Sequence, residues 1–330
     1  MFLKRRLKNV ALLISLICLI FSTVACTERP SVQSKSYKIG IIKIVSHPGI
    51  DAIEKGFLDK VNTYAKEKNL SINYDMQNAQ GDMGTSSLIA KKLVGDNVDL
   101  IFSISTPSTQ HVVKATQKIP IVFGAVTDPL SAGIVKNNDH PGGNVTGVSD
   151  VWPIKKQVEL LLKLVPNVKK LGLVYNPGES NASFMLIKLQ DACDQLGIKL
   201  IKRSITNTGE VQMAARSLAP NVDAFYSSID NTVLAAIISL VKVSQQFKKP
   251  IIAGESDSVK QGAIATLGTN YYEIGVESGN LAMKILSGTN PGDLSVVSDT
   301  KTDLYLNKKS LESLGIKIPK ELEKQAKTIF

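Results

Sequence analysis

One pattern occurs twice in this chain of 330 residues and restricts its fold more than any other feature. Each copy has a short apolar strand, a polar loop that opens a helix, and a second apolar strand with its own polar loop; the copies span residues 99–128 and 223–257. Apolar runs this short, buried on both faces, are typical of a parallel sheet covered by helices. Two copies predict two sheets. Because ligands bind beyond the carboxyl ends of such strands, we expect two lobes that close on one small ligand.

The rest of the chain continues the alternation of strands and helices. Residues 38–45 and 170–175 begin the two halves with similar apolar strands, and Ile50, Ile53 and Phe57 have the spacing of an amphipathic helix. Further helices are predicted over residues 87–94, 107–117, 182–196, 210–218, 232–247 and 271–287. This alternation predicts a doubly wound α/β fold in each half.

The boundary between the halves is predicted from composition. Residues 137–147 are rich in Asn, Gly and Pro, so a first crossing is expected over residues 149–152, with two more near residues 268 and 298. The three crossings form a hinge. It joins an N-terminal lobe of residues 37–149 and 269–299 to a C-terminal lobe of residues 150–268 and 300–330.

Residues 1–25 are predicted to be a targeting segment rather than part of the fold. A basic start leads into an apolar run over residues 10–21, followed by Thr23-Val-Ala-Cys26. This resembles a lipoprotein signal in which Cys26 is acylated, although Thr23 stands where an aliphatic residue is usual. The alternative is a transmembrane anchor, for which the run is short. We therefore expect a tether over residues 26–36 and a lipid-anchored protein on the extracytoplasmic side of the cell membrane.

Charge and cysteine usage argue against a nucleic-acid-binding protein and against a fold stabilised by disulfides. The formal net charge of +10 falls to +6 without the four basic residues of the targeting segment. The remaining lysines are scattered, whereas nucleic-acid binding needs a dense basic stripe, so no nucleic-acid partner is expected. Cys18 lies in the targeting segment and Cys26 takes the lipid. Cys193 then has no partner for an internal disulfide and is predicted to be a small buried side chain.

The motifs of common enzyme classes are missing from the sequence. No Gly-x-Gly-x-x-Gly follows a strand, and there is neither a Gly-Lys-Ser phosphate loop nor a Gly-x-Ser-x-Gly nucleophile elbow. His47, His111 and His140 lack the spacing of metal ligands. We therefore expect no cofactor, no metal and no catalytic residue.

The polar turns of the two copies differ in charge. In the first copy Ser105 and Thr106 open the helix with hydroxyls, and the free N–H groups of a helix start favour a carboxylate. In the second copy Asp230 occupies the position of Thr106 and offers a carboxylate to an ammonium group. Other strands of that half are followed by Glu179, Ser180, Asn181 and Glu255. An anion site facing a cation site fits an α-amino acid, although each residue could serve only as a helix cap.

Six segments carry a family resemblance: residues 47–51, 119–129, 142–150, 176–181, 230–233 and 269–273. From residue 37 onward the chain resembles the solute-binding proteins of an ABC-transporter family whose known members bind aromatic amino acids. The resemblance implies a type I periplasmic-binding fold, a closing cleft, and delivery of the ligand to a permease with an ATPase partner; we expect a monomer. The expected ligand-binding residues are His47, Pro48, Ser105, Thr106, Thr127, Asp128, Ser149, Asn176, Glu179, Ser180, Asn181, Ser228, Asp230, Asn231 and Glu255.

Other functions share parts of this pattern. An exported enzyme acting on a small zwitterion would need a nucleophile–histidine pair, and none is recognisable in the sequence. A sugar-responsive transcription regulator would need a DNA-binding head where the targeting segment lies. Among binding proteins, the alternative ligands are a branched-chain amino acid, a nucleoside or a signalling molecule.

Overall fold

The structure is a computed structural model that describes residues 35–150, 152–298 and 302–330. The predicted targeting segment and most of the tether, including Cys26, lie outside these ranges, as do residues 299–301 beside the third expected crossing. None of the helices in the described ranges is long and apolar enough to cross a membrane.

The first sheet has five parallel strands in the order β2-β1-β3-β4-β5. They are β1 (Ser36–Lys43), β2 (Ser71–Asn78), β3 (Leu100–Ile104), β4 (Ile121–Val126) and β5 (Val145–Ser149). The first four are connected by α1 (Pro48–Lys68), α2 (Met83–Gly95) and α3 (Thr106–Ala115). The strand order reverses between β1 and β3, and ligands bind in the crevice at such a switch point.

The second sheet has seven strands in the order β7-β6-β8-β9-β10-β11-β12, and its first five repeat the order of the first sheet. They are β6 (Lys170–Tyr175), β7 (Lys199–Ser204), β8 (Ala224–Ser227), β9 (Ile251–Ala253), β10 (Ala265–Gly268), β11 (Asp303–Leu306) and β12 (Ala326–Ile329). The helices around it begin with α4 (Ile154–Leu164), α5 (Ser180–Gln195), α6 (Val211–Leu218), α7 (Asn231–Ala235), α8 (Ile237–Phe247) and α9 (Ser256–Gln261). Only β10 and β11 pair antiparallel among the described strands. The predicted fold of two α/β lobes with parallel sheets is confirmed.

Helix α10 (Tyr271–Leu286) follows β10 in sequence but packs against α1 and the first sheet. Glycines permit this close approach. A Cβ atom on Gly56 would lie 2.1 Å from the carbonyl oxygen of Tyr272, and one on Gly275 would lie 2.0 Å from that of Ile53. Any larger residue at either position would push the helices apart, so α10 is fixed to the first lobe.

The chain passes between the two sheets three times. It leaves the first sheet after β5 and returns between β10 and α10. Beyond α10, Val297 forms a parallel bridge with Val148 beside β5, and the chain then enters β11 of the second sheet. The second lobe ends with α11 (Lys308–Ser313), α12 (Lys320–Gln325) and β12.

Several elements differ from the sequence prediction. The helix predicted over residues 232–247 is two helices, because the backbone of Ala236 leaves the helical region at φ −115° and ψ 23°. Helix α2 starts earlier than predicted because the side chain of Asp82 caps it, accepting from the backbone N–H of Thr85. Helices α4, α9 and α12 and strands β5 and β12 are additional to the predicted elements.

Buried apolar side chains form the cores of both lobes. In the first lobe the stacked rings of Phe57 and Phe102, with centroids 3.9 Å apart, join α1 to β3. Cys193 is buried among apolar side chains, as predicted, and burial raises the pKa of its thiol to about 11. It is therefore a structural rather than a reactive thiol.

Candidate functional site

A small cavity lies between the carboxyl ends of the first sheet and the loops of the second lobe. Its wall on the first sheet follows four strands in turn: His47 after β1, Ser105 and Thr106 after β3, Thr127 after β4, and Asp150 after β5. The rest of the wall is Asn181, Ile229, Asn231 and Leu234 of the second lobe, with Ile50, Ile53, Ala125 and Tyr271. The space open to the centre of a water molecule is about 10 Å³, room for about one water. The lobes therefore lie close together here.

Two residues of this wall have a backbone conformation that favours glycine. Ser105 has φ 79° and Ala125 has φ 56°, and each lies at the carboxyl end of a strand. At Ala125 the register between β4 and β5 also shifts. Such conformations cost about 1–3 kcal/mol each and cluster at binding sites. The strain is a first indication that the cavity has a function.

Asp150 is a buried carboxyl with one unpaired oxygen at the cavity. Its Oδ2 accepts a hydrogen bond of 3.1 Å from the hydroxyl of Tyr271, whereas its Oδ1 has no partner. The side chains beside the carboxyl group, those of Thr127, Tyr271 and Trp152, are neutral donors that offset its burial only in part. Burial therefore dominates and raises the pKa of Asp150 to about 6. Such a carboxyl is suited to pair with a cation that enters the cavity.

His47 offers a hydrogen-bond donor to the same cavity. It caps α1, where its Nδ1 accepts from the backbone N–H of Ile50 at 3.4 Å. Burial lowers the pKa of the imidazole to about 4, a shift that the neighbouring Asn231 only partly opposes, so the ring is neutral. Because a neutral ring carries one proton and Nδ1 accepts, the proton lies on Nε2, which is buried and unpaired.

The asparagines of the second-lobe wall are held by Glu179. Its Oε2 accepts from the side-chain amides of Asn231 at 2.6 Å and Asn181 at 3.1 Å, and its Oε1 accepts from both the backbone N–H and the hydroxyl of Thr232. The amide of Asn181 also donates to the carbonyl oxygen of Ile229. These bonds fix the amide orientation of Asn181. Its Oδ1 remains as a buried, unpaired acceptor.

The start of α3 presents a free hydroxyl. Ser105 is the N-cap residue but its side chain makes no cap, and its Oγ is buried without a partner. Two nearby hydroxyls are engaged: Thr106 Oγ1 accepts from the N–H of Thr127, and Ser149 Oγ donates to the carbonyl oxygen of Thr127. A hydroxyl beside the positive end of a helix is suited to a carboxylate.

Asp230 has a structural role in this arrangement. One of its oxygens accepts from the N–H of Val233, which caps α7, and the other accepts from the N–H of Asn176 at 2.6 Å. Burial and the nearby carboxylate of Glu179 raise its pKa. It does not line the cavity, so the carboxylate facing the cavity is Asp150, from the hinge end of the first sheet. Among the described residues no group of three or more His, Cys, Asp or Glu side chains is placed to hold a metal ion.

The structure brings together only part of the predicted set. The predicted residues that line the cavity are His47, Ser105, Thr106, Thr127, Asn181 and Asn231; those that do not are Pro48, Asp128, Ser149, Asn176, Glu179, Ser180, Ser228, Asp230 and Glu255. Several of the latter are caps. Both carboxylate oxygens of Glu255, for example, accept from N–H groups at the start of α9, and burial raises its pKa to about 7.

Two wall residues are absent from the predicted set, namely Asp150 and Tyr271. Both lie in segments that carry the family resemblance, residues 142–150 and 269–273. Those segments were therefore the signal in the sequence that could have identified them.

A family model described as ABC transporter substrate binding protein matches residues 38–330. The chain belongs to this family. It is 39% identical over 293 residues to a tyrosine-binding protein of Clostridioides difficile (strain R20291), covering 88% of this chain and 85% of that protein. This relative of the substrate-binding protein is thus named for an amino-acid ligand.

Two solved structures of similar proteins differ in ligand state. One is a domain from Streptococcus pneumonia in complex with L-Trp, 32% identical, with a TM-score of 0.86 over 90% of this chain and 100% of that one. The other is a ligand-free, open substrate binding protein with adhesive properties from Clostridium difficile, 37% identical, with a TM-score of 0.66 over 89% and 99%. The present structure is closer in shape to the ligand-bound domain, although the open protein is more similar in sequence. Its lobes are therefore in a closed arrangement, and Ser180 Oγ donates across the cleft to Gln110 Oε1 at 3.3 Å.

Proposed function

We propose that this protein captures a zwitterionic aromatic amino acid in the cavity between its lobes and delivers it to the permease and ATPase of an ABC importer. The observation that carries the proposal is the buried, unpaired oxygen of Asp150 at the cavity. The names of the relatives support the ligand class, since one is called tyrosine-binding and another is in complex with L-Trp.

Asp150 is our candidate for the ligand's ammonium group. A buried ammonium needs a partner, because an unpaired buried charge is very unfavourable. Asp150 has neutral neighbours and a free oxygen, so a charge-assisted hydrogen bond can form there. Asp150 thus takes the role that the sequence analysis gave to Asp230, whose two oxygens already accept from backbone N–H groups.

The ligand's carboxylate is assigned to the start of α3. The hydroxyl of Ser105 is unpaired there, and the helix start carries partial positive charge. Ser105 follows β3 and Asp150 follows β5, with β4 between them in the sheet. Both groups thus belong to the carboxyl edge of the first sheet, which would hold the two charged ends of the amino acid.

The remaining wall is apolar and would suit an aromatic side chain, but the closed cavity has room for about one water and can take such a side chain only as the lobes move apart. Ile50, Ile53, Ile229 and Leu234 line the cavity together with the ring of Tyr271. Enclosing an aromatic ring between such side chains supplies most of the favourable free energy of binding, because aromatic side chains bury large apolar areas.

A thermal-shift screen of the purified protein tests the ligand class. A ligand at 100 times its dissociation constant should stabilise the protein by about 2.7 kcal/mol. Tyr, Phe or Trp should raise the melting temperature, and the corresponding methyl esters should bind far more weakly because they lack the carboxylate. A shift with nucleosides or only with branched-chain amino acids would show that the ligand class is wrong.

The cellular setting is also a proposal. Residues 1–25 would direct export, Cys26 would carry the lipid, and residues 26–36 would tether a monomeric two-lobed domain to the extracytoplasmic face of the membrane. The lobes would comprise residues 37–149 with 269–299 and residues 150–268 with 300–330. Growth with an alkyne-tagged fatty acid should label the protein, and Cys26→Ser should abolish the label. A label that persists in this variant would refute the anchor.

A further inference from the structure

The ring of Tyr271 is held where the second crossing enters the first lobe. Tyr271 is the first residue of α10, and its ring packs against the start of α1. A Cβ atom on Gly49 would lie 2.3 Å from Cδ2 of this ring, so the ring occupies space that only a glycine leaves open. Because α10 also packs closely against the rest of α1, the position of the ring is set by elements of the first lobe.

The hydroxyl of Tyr271 reaches the carboxyl group of Asp150. It donates to Oδ2 at 3.1 Å, and both side chains are buried. Asp150 directly follows β5, and α10 packs against β4 and β5 of the same sheet. The hydrogen bond therefore joins two groups carried by the first lobe and does not depend on closure. With Oδ2 engaged in this way, Oδ1 is the oxygen left for the ligand.

The phenol of Tyr271 stays a donor over the whole range in which carboxyl groups titrate. Burial, together with the carboxyl groups of Asp150, Glu255 and Asp257, raises its pKa well above the usual value. The hydroxyl therefore keeps its proton. A hydrogen bond donated to a carboxyl group favours the ionised form of that group, so at Asp150 it opposes the effect of burial.

We propose that Tyr271 is a positioning residue for the ligand's ammonium group, because its hydroxyl holds the carboxyl group of Asp150 with Oδ1 free at the cavity. The inference rests on the proposed function, in which Asp150 pairs with the ammonium. The same hydrogen bond helps Asp150 to stay ionised at neutral pH. Since both groups belong to the first lobe, the charged end of the ligand can bind there before the lobes close.

Tyr271→Phe removes the hydroxyl and keeps the ring. Losing a hydrogen bond to a charged group should raise the pKa of Asp150 by about one to two pH units. We would measure L-tyrosine and L-tryptophan binding to the full-length protein in mild detergent by calorimetry between pH 5 and pH 9. Wild-type affinity should begin to fall below about pH 6, and that of the variant about one to two units higher. At pH 7 the variant should bind about 2- to 10-fold more weakly.

The pH profile separates positioning from a general structural role. A loss of affinity by the same factor at every pH, or no loss at all, would overturn the inference and leave the proposed function standing. No binding of either amino acid to the wild type would refute the proposed function itself. If Tyr271→Phe fails to fold, Gly49→Ala decides, because its Cβ displaces the ring and alanine favours a helix. It should move the profile in the same direction, and an unmoved profile would contradict the proposal.

Tyr272→Phe is the matched control. The hydroxyl of Tyr272 also donates to a carboxylate, Oδ2 of Asp59 at 3.0 Å, but this residue does not line the cavity. The variant should therefore match the wild type at every pH. A shift as large as that of Tyr271→Phe would show that the effect is not specific to the bond with Asp150, and it would overturn the proposal.

Asp150→Asn shows which group titrates. The other ionisable groups near the Tyr271 ring are His47, whose pKa burial lowers to about 4, and Glu255 and Asp257, whose pKa values burial raises, that of Glu255 to about 7. Only the carboxyl groups fall in the range of the experiment. The weak residual binding of Asp150→Asn should not change between pH 5 and pH 8. A fall that persists would show that another carboxyl group titrates and would overturn the proposal.

Discussion

Replacing Asp150 with Asn removes the charge at the cavity while keeping the shape of the side chain. The amide oxygen of Asn can still accept from the hydroxyl of Tyr271, as Oδ2 does now. The amide nitrogen would then take the place of the unpaired oxygen and present a donor to the ligand's ammonium. Losing one partner of a buried charged pair weakens binding by about 2–5 kcal/mol, which is about 30- to 5,000-fold.

The same substitution should stabilise the protein without ligand. Burial raises the pKa of Asp150 to about 6 from 3.8, and each pH unit corresponds to about 1.4 kcal/mol. Between pH 3.8 and about 6 the folded protein therefore holds a proton that the unfolded chain has released. At pH 7 Asp150 is ionised in both states, and its charge lowers the free energy of unfolding by about 3 kcal/mol. Asn carries no charge. Asp150→Asn should recover up to this amount.

Calorimetry and urea unfolding at pH 7 together decide the assignment. A matched control is Asp128→Asn, because the half-buried Asp128 follows Thr127 but caps a turn through the N–H groups of Leu130 and Ser131 and does not line the cavity. This control should change neither property. If Asp150→Asn binds aromatic amino acids as the wild type does, the ammonium lies elsewhere. If it is less stable than the wild type, the carboxylate has a structural role instead.

Three further predictions follow from the same contacts. Ligand affinity should fall as the pH is lowered through about 6, because protonation of Asp150 removes the charge that the ammonium needs; affinity that stays constant from pH 8 to pH 5 in calorimetry would contradict this. Asp230→Asn should leave ligand affinity within threefold, because both carboxylate oxygens of Asp230 accept from backbone N–H groups and the residue does not line the cavity; calorimetry checks this, and impaired binding by the folded variant would return the ammonium to Asp230. The emission of Trp152 should change on ligand binding, because this residue follows the first crossing and its ring lies 5.8 Å from that of Tyr271; unaltered emission with a ligand that binds would contradict closure at this crossing.

Local patterns were sufficient to predict most of the fold. The duplicated apolar strands are short and flanked by polar turns, so they indicated two parallel sheets without any long-range information. Helix α4 has the same kind of signal, since Ile154, Val158 and Leu161 have helical spacing, but it directly follows the crossing, where no helix is predicted. The break at Ala236 has no local signal, because alanine is the strongest helix former.

The site was harder to predict because its key contacts are distant in sequence. The hydrogen bond between Tyr271 and Asp150 joins residues 121 positions apart. Asp150 follows β5, a strand that begins inside a segment whose Asn, Gly and Pro content indicated a loop. Without that strand, nothing local shows that Asp150 lies beside Thr127 at the edge of the sheet.

Residue type alone does not separate a cap from a ligand contact at the end of a strand. Asp230 and Glu255 use both carboxylate oxygens on backbone N–H groups, whereas His47, Asp150 and Asn181 each leave one buried atom without a partner. Between these five residues the number of partners differs, and it is a property of the folded state.

The unpaired atoms also explain how ligand binding can control closure. Closing the lobes buries these atoms, and a buried polar atom without a partner costs about 1–3 kcal/mol. Ser105, His47, Asp150 and Asn181 each contribute one such atom to the cavity, so closure is unfavourable until a ligand pairs with them. A ligand that does so stabilises the closed arrangement more than the open one, which is the differential affinity that any conformational signal requires. The closed, ligand-bound form then differs in shape from the open form, and a permease can distinguish the two.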